Sequence, residues 1–234
     1  MWPQVLPRSD GRAVAAALSL NMTSQGLLRV SGLAFLILFA GGSAVWWPWG
    51  EVRAGADPGA IAQFYADTRA LIVIGGTLSV LGIAAFVVFA SAVRELIEDP
   101  VVGTAATVGA GVLAVAGFGA ETINMAGSIR ATDDPQLAQT LYEIPQVLGG
   151  YTSAIGAGIF ALAVAAAGLL SRRAAASVAA IGLVLLTPLA AFVTEVAGGG
   201  ALLVVAAVLI GVPRDTQRAR HGGPQSTGPE GRSV

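Results

Sequence analysis

Long apolar runs separated by short polar segments dominate the chain. Two of these runs, 101–124 and 147–170, are joined by the polar segment ETINMAGSIRATDDPQLAQTLYEIPQ (121–146), which carries four acidic residues. A helix needs roughly 20 mainly apolar residues to cross a bilayer, and both runs reach that length. Similar runs precede and follow this hairpin, so the pattern predicts an all-α, polytopic transmembrane helix bundle of about six spans arranged as three hairpins. The predicted spans are 27–47, 70–93, 101–124, 147–170, 174–193 and 197–212.

The two ends of the chain lack this periodicity. Residues 1–26 are predicted to be a disordered cytoplasmic arm, and the Gly/Pro/Ser-rich residues 213–234 a disordered cytoplasmic tail. Two alternatives concern the first span. Met22 offers a second start, and Arg29 before an apolar run is also typical of a cleaved signal peptide. Trp46 and Trp47 favour a retained helix, because Trp lies preferentially at the membrane interface.

Two polar loops begin with the same signal for a helix start. Asp57-Pro58 and Asp134-Pro135 each place a capping carboxylate before a proline at the first helical position. The residues after Asp57 are predicted to form a short helix on the membrane surface. A shift of 77 residues superposes the two loops and lays Tyr65 on Tyr142. The superposition indicates a parallel internal repeat, although capped turns are also common in unrelated short loops.

The distribution of arginine predicts the orientation. Cytoplasmic segments of membrane proteins carry an excess of positive charge. With six spans and a cytoplasmic N-terminus, ten Arg lie on the cytoplasmic side and three on the other side. The three are Arg53, Arg69 and Arg130. Both termini are therefore predicted to be cytoplasmic.

Composition narrows the functional classes. The chain is 55% hydrophobic and only 12% charged, with a mean hydropathy of +0.74, which is too apolar for an ordinary soluble domain. A net charge of −1 gives no field that attracts nucleic acid. The chain has no Cys and no Lys, and its one histidine, His221, lies in the polar tail. No cofactor or metal site is therefore expected, and no phosphate-binding loop occurs.

Ionisable residues near the ends of the spans are the candidates for chemistry. Glu121 lies roughly 20 residues, or about 30 Å, from the cytoplasmic start of its span, which puts it at the outer edge of the hydrocarbon. Glu143 and Glu195 are predicted at the same level. Clustered carboxylates there would bind a proton or a cation; alternatively, they are only hydrated interface residues paired with Arg. The candidate outer vestibule consists of Glu121, Glu143, Glu195, Arg69, Arg130, Asn124 and Tyr142.

Four segments of the chain are similar to segments of known membrane proteins. They are LLRVSGLAFLILFAGG, DPGAIAQFYADTRA, DPQLAQTLYEIPQVLGG and the SRR that ends the span after it. Over residues 27–212 the chain resembles six-helix bacterial integral membrane proteins of unknown function. The resemblance implies a multi-pass protein of the inner (plasma) membrane and no particular activity.

Three functional hypotheses follow. The first is a helical-bundle scaffold or membrane subunit, which contacts the lipid bilayer and a second copy or a partner subunit. The alternative is a small-solute or ion permease that uses the acidic vestibule. No charge is predicted near the middle of a span, which disfavours an ion pump. A lipid-modifying enzyme is the least favoured class.

Overall fold

The computed structural model describes residues 24–46, 56–187 and 194–212. All regular structure in these ranges is helical, which confirms the all-α prediction. The elements are α1 (Ser24–Trp46), α2 (Pro58–Leu96), α3 (Pro100–Arg130), α4 (Pro135–Pro145), a π-helical turn (Gln146–Thr152), α5 (Ser153–Ala166), α6 (Arg172–Leu185) and α7 (Thr194–Gly211). Most of the predicted arm and all of the predicted tail lie outside the described residues.

Four helical segments are long and apolar enough to cross a membrane. They lie in α1, α2, α3 and the continuous segment Pro135–Ala166, which contains α4, the π-helical turn and α5. The last two helices are shorter. α6 has 14 residues, and the apolar part of α7 is Gly198–Gly211.

Helix α1 is antiparallel to both α2 and α7, as glycine contacts between these helices show. A Cβ atom built at Gly42, near the end of α1, would lie 2.5 Å from Ser79 Oγ of α2. One built at Gly32, near the start of α1, would lie 3.0 Å from the Phe89 ring, further along α2, and 2.9 Å from Leu209, near the end of α7. The start of α1 and the end of α7 therefore lie at the same end of the bundle. We call it the Arg94 end, and the opposite one the Tyr142 end.

The prediction of a short surface helix after Asp57 differs from the structure. Asp57 does cap a helix, since its carboxylate accepts a hydrogen bond from the Gly59 amide at 2.9 Å. That helix is α2, which continues without a break for 39 residues. Between Asp67 and Ala70 no Gly or Pro ends it, and its buried face runs from Tyr65 through Ile72. At 1.5 Å per residue, α2 is about 58 Å long and extends beyond a hydrocarbon layer of about 30 Å.

The second polar loop leads into an interrupted helix. The Asp134 carboxylate accepts a hydrogen bond from the Leu137 amide at 3.1 Å and caps α4. Pro145 then removes a backbone donor, and the chain passes through one wide π-helical turn before α5 begins. α5 ends at Ala166, four residues before the predicted end of the span. Gly168, with φ of 70°, supplies the left-handed residue that follows many helix C-termini.

Aromatic rings fill the core towards the Arg94 end. Phe86 of α2 lies with its ring centroid 5.2 Å from that of Phe35 in α1 and 5.3 Å from that of Phe160 in α5. Phe89 also contacts Phe160, and all four rings are almost completely buried. This core joins α1, α2 and α5 into a closed unit.

Glycines allow the backbones of α3 and α5 to touch. A Cβ atom at Gly109 would lie 2.5 Å from the Phe160 backbone nitrogen and 2.8 Å from the Gly156 carbonyl oxygen. The spacing of Ala105 and Gly109, four residues apart, is typical of such contacts. No side chain therefore fits between the two helices at this level.

We expect Gly109→Leu to destabilise the bundle by roughly 1–3 kcal/mol, because the new side chain meets backbone atoms that cannot move aside independently. Thermal unfolding of the detergent-solubilised protein measures the loss. Gly111→Leu is the matched control, since a Cβ atom there meets nothing within 4 Å. Equal melting temperatures for the two variants would contradict the close α3–α5 contact.

Candidate functional site

A cavity of about 440 Å³ lies between the helices in the half of the bundle nearest the Tyr142 end. Its apolar and glycine lining consists of Phe35, Phe39, Phe64, Ile72, Ile83, Leu113, Gly117, Ala120, Pro145, Gly149, Gly150, Gly198, Gly199, Ala201 and Leu202. Its polar lining consists of Ser43, Glu121, Asn124, Tyr142, Gln146 and Ser153. Six helices (α1 to α5 and α7) and the π-helical turn therefore contribute to one site.

The cavity ends at the aromatic core. Phe35 and Leu113 line it and also belong to the core cluster that fills the Arg94 end. Along α3 the lining runs from Leu113 to Asn124, which corresponds to about 16 Å at 1.5 Å per residue. The space is thus elongated along the helix axes and closed at its deeper end.

Small residues on facing helices create the volume. Gly117 and Ala120 of α3 face α2 and the π-helical turn: a Cβ atom at Gly117 would lie 2.9 Å from Ile83 Cδ1, and one at Gly149 would lie 3.1 Å from Ala120 Cβ. Gly198 and Gly199 of α7 complete the lining on another side. Larger side chains at these positions would occupy the cavity.

Glu121 is the one acidic residue that the described side chains contribute to this lining. It lies nine residues before the end of α3 at Arg130, about 14 Å along the helix, because α3 continues six residues past the predicted end of the span. Glu121 is therefore further from the helix end than the sequence predicts. Its Oε2 atom lies near Gly76 of α2, where a Cβ atom would be 3.3 Å away.

Ser79 lies beside Glu121 and is itself unusual. Its side chain is completely buried, and its hydroxyl has no hydrogen-bond partner of acceptable geometry within the described ranges. The Glu121 carboxyl is close to this hydroxyl. Buried hydroxyl groups are almost always hydrogen-bonded in folded proteins, and the Glu121 carboxyl is a neighbour that can accept a hydrogen bond from this one.

A tyrosine hydroxyl fixes the wall of the cavity at the Tyr142 end. Tyr65 Oη lies 3.2 Å from Asn124 Oδ1 of α3 and 3.2 Å from the Leu141 carbonyl oxygen of α4. Its single proton is shared between these two acceptors. Gly127 makes room for the ring, since a Cβ atom there would lie 2.8 Å from Tyr65 Oη. One buried hydroxyl thus ties α2, α3 and α4 together next to the site.

The π-helical turn borders the same site. It carries Gln146, Gly149 and Gly150, all of which line the cavity. Just after it, the Ser153 hydroxyl donates to the Leu148 carbonyl oxygen, five residues back, at 3.0 Å. Single π-helical turns occur frequently at functional sites. Pro145 followed by a Gly-Gly pair is the sequence signal that could have indicated this turn.

The structure brings together three of the seven predicted site residues. Glu121, Asn124 and Tyr142 line the cavity. Glu143 is exposed and accepts a hydrogen bond from Gln139 Nε2 at 2.8 Å. Arg69 and Arg130 are exposed and do not line the cavity. Glu195 falls in α7, but its side chain lies outside the described part of the chain.

Neither known proteins nor a group of metal ligands indicates a function for this cavity. No protein-family model, curated protein or solved structure matches the chain. Within residues 24–46, 56–187 and 194–212, no three His, Cys, Asp or Glu side chains are grouped so that they could hold a metal ion. The function has to be inferred from the cavity itself.

We expect Tyr65→Phe to destabilise the protein by about 1 kcal/mol, because it removes a buried hydroxyl that ties three helices together. Thermal unfolding in detergent measures this loss. Tyr151→Phe is the matched control, because Tyr151 is 43% exposed. If Tyr65→Phe unfolds at the same temperature as Tyr151→Phe, the hydroxyl does not hold α2, α3 and α4 together.

Proposed function

We propose that the chain is a multi-pass protein of the bacterial inner membrane whose helix bundle binds a small, mainly apolar molecule. The cavity around Glu121 is the observation that carries this proposal. Ligand sites in proteins are concave, mostly apolar and about 300–1,000 Å³ in volume, with a few placed polar groups. The cavity fits this description in volume, in its aromatic and aliphatic walls and in its small number of polar side chains.

The proposed topology has six spans with both termini in the cytoplasm. The antiparallel order of the helices supports an even number of passes, since the start of α1 and the end of α7 lie at the same end. The excess of Arg in the segments at that end supports its assignment to the cytoplasm. The cavity then lies in the outer half of the membrane, and its ligand enters from the Tyr142 end.

The aromatic core below the cavity argues against a permease that uses the cavity. Phe86, Phe89 and Phe160 are almost completely buried below the cavity and pack against one another. A small-solute permease would have to repack this core in every transport cycle. The closed core is also the observation that favours the second candidate, a scaffold or membrane subunit that acts beside a partner.

Single cysteines test the topology, because the chain has no cysteine of its own. In intact cells, a membrane-impermeant maleimide is expected to label Asp133→Cys at the Tyr142 end. Glu95→Cys at the Arg94 end and Ser233→Cys in the tail are expected to react only after permeabilisation. Labelling of Ser233→Cys in intact cells would rule out a cytoplasmic C-terminus.

Photolabelling tests the binding site. The probe is a neutral aryl diazirine with a neopentyl group, applied to the full chain in lipid nanodiscs. We expect saturable labelling of the lining segments of α3 and of the π-helical turn. Gly117→Leu fills the cavity and is expected to reduce this labelling by about tenfold or more, the loss that follows from ~1.4 kcal/mol of binding free energy.

Gly111→Leu supplies the matched control for the labelling experiment. It makes the same change on α3, but at an exposed position with nothing within 4 Å, so saturable labelling is expected to persist. The absence of saturable labelling in the natural protein would contradict the proposed function. The same conclusion would follow if the two leucine variants were labelled equally well.

A further inference from the structure

The charge in the cavity restricts what can bind there. Glu121 is the one carboxyl group among the lining residues, and no Arg lines the cavity in the described part of the chain. Arg69 and Arg130 belong to the halves of α2 and α3 that lie towards the Tyr142 end, and both are exposed. An anionic ligand would be repelled by the carboxylate, whereas a cation would be attracted to it.

The protein itself supplies little to stabilise the Glu121 carboxylate. A carboxylate surrounded by apolar groups is unfavourable unless a partner charge or several hydrogen bonds compensate it. The Ser79 hydroxyl lies beside it and can donate one hydrogen bond at most. A positively charged ligand would provide the missing partner.

The walls favour an organic cation over an inorganic one. Inorganic cations such as Ca²⁺ and Mg²⁺ take about six or more oxygen ligands, and the described residues contain no group of three or more His, Cys, Asp or Glu side chains that could hold a metal ion. The aromatic residues Phe35, Phe39, Phe64 and Tyr142 line the same cavity. Aromatic faces attract quaternary ammonium groups, particularly where water is excluded. The elongated space leaves room for an apolar body beside the charged group.

We propose that the ligand of this cavity is an organic cation with an apolar body, and that Glu121 binds its positive charge. This inference rests on the proposed function, because it names the chemical class of the molecule that occupies the same cavity.

A pair of isosteric probes separates charge from shape. One is the neutral diazirine with its neopentyl group, and the other carries a trimethylammoniomethyl group of the same shape. Competition photolabelling of the full chain in nanodiscs gives their relative affinities. We expect the natural protein to prefer the cation by about tenfold, or ~1.4 kcal/mol.

Three variants assign the preference to one side chain. Glu121→Gln is expected to abolish the preference while neutral-probe labelling of the cavity persists, which also shows that the variant is folded. Glu121→Asp keeps the charge and is expected to retain a preference for the cation. Glu143→Gln is the matched control, because Glu143 is exposed at the same end and does not line the cavity, so the preference is expected to remain.

The outcomes distinguish this inference from the function on which it rests. Saturable labelling by both probes with equal affinity would overturn the organic-cation inference and leave the binding function intact. A cation preference that survives Glu121→Gln would also overturn it, because the charge would then be recognised elsewhere. Failure of both probes to label the cavity would overturn the proposed function itself.

Discussion

Direct backbone contact between α3 and α5 at Gly109 and Gly156 is the constraint on which the rest of the structure depends. Because no side chain separates the two helices there, the bundle is closed at that level, and the adjacent Phe86 and Phe160 rings complete a solid core. Two to three turns further along α3, at Gly117 and Ala120, small residues again face the neighbouring elements. There the backbones do not touch, and the cavity occupies the space between them. The same residue types thus produce close packing at one level and an open site at the next.

Tyr65 determines the other boundary of that site. Its hydroxyl connects Asn124 of α3 with the Leu141 carbonyl of α4, and its ring lies 6.2 Å from that of Tyr142, at an interplanar angle of 70°. In the predicted internal repeat these two tyrosines occupy equivalent positions. One of them follows an Asp-Pro cap in an unbroken helix and the other in a helix interrupted by a π-helical turn. The repeat remains a prediction, but the contact gives both tyrosines a structural role at the Tyr142 end.

The sequence predicted the helical class and the Asp-Pro caps, because hydrophobic run length and capping chemistry are local properties. It placed Glu121 at the membrane edge, because this residue lies roughly 20 residues, or about 30 Å, from the predicted cytoplasmic start of its span. The structure shows that α3 continues to Arg130, because no Gly-Pro or similar signal stops the helix. Helix rotation is not a local property. It depends on contacts such as that of Gly127 with Tyr65. For this reason the sequence could not show that Glu121 lines the cavity whereas Glu143 is exposed.

Three features that each reduce stability occur together at the cavity. A void forgoes packing contacts, a carboxyl group in apolar surroundings loses hydration, and a π-helical turn has less favourable hydrogen bonding than the α-helix that it interrupts. A helical bundle that only had to hold its shape would be more stable without the void and with an apolar residue in place of Glu121. Proteins depart from such local rules mainly at functional sites. The coincidence of the three departures therefore favours a binding function over a purely structural one, and it does so without reference to which ligand enters.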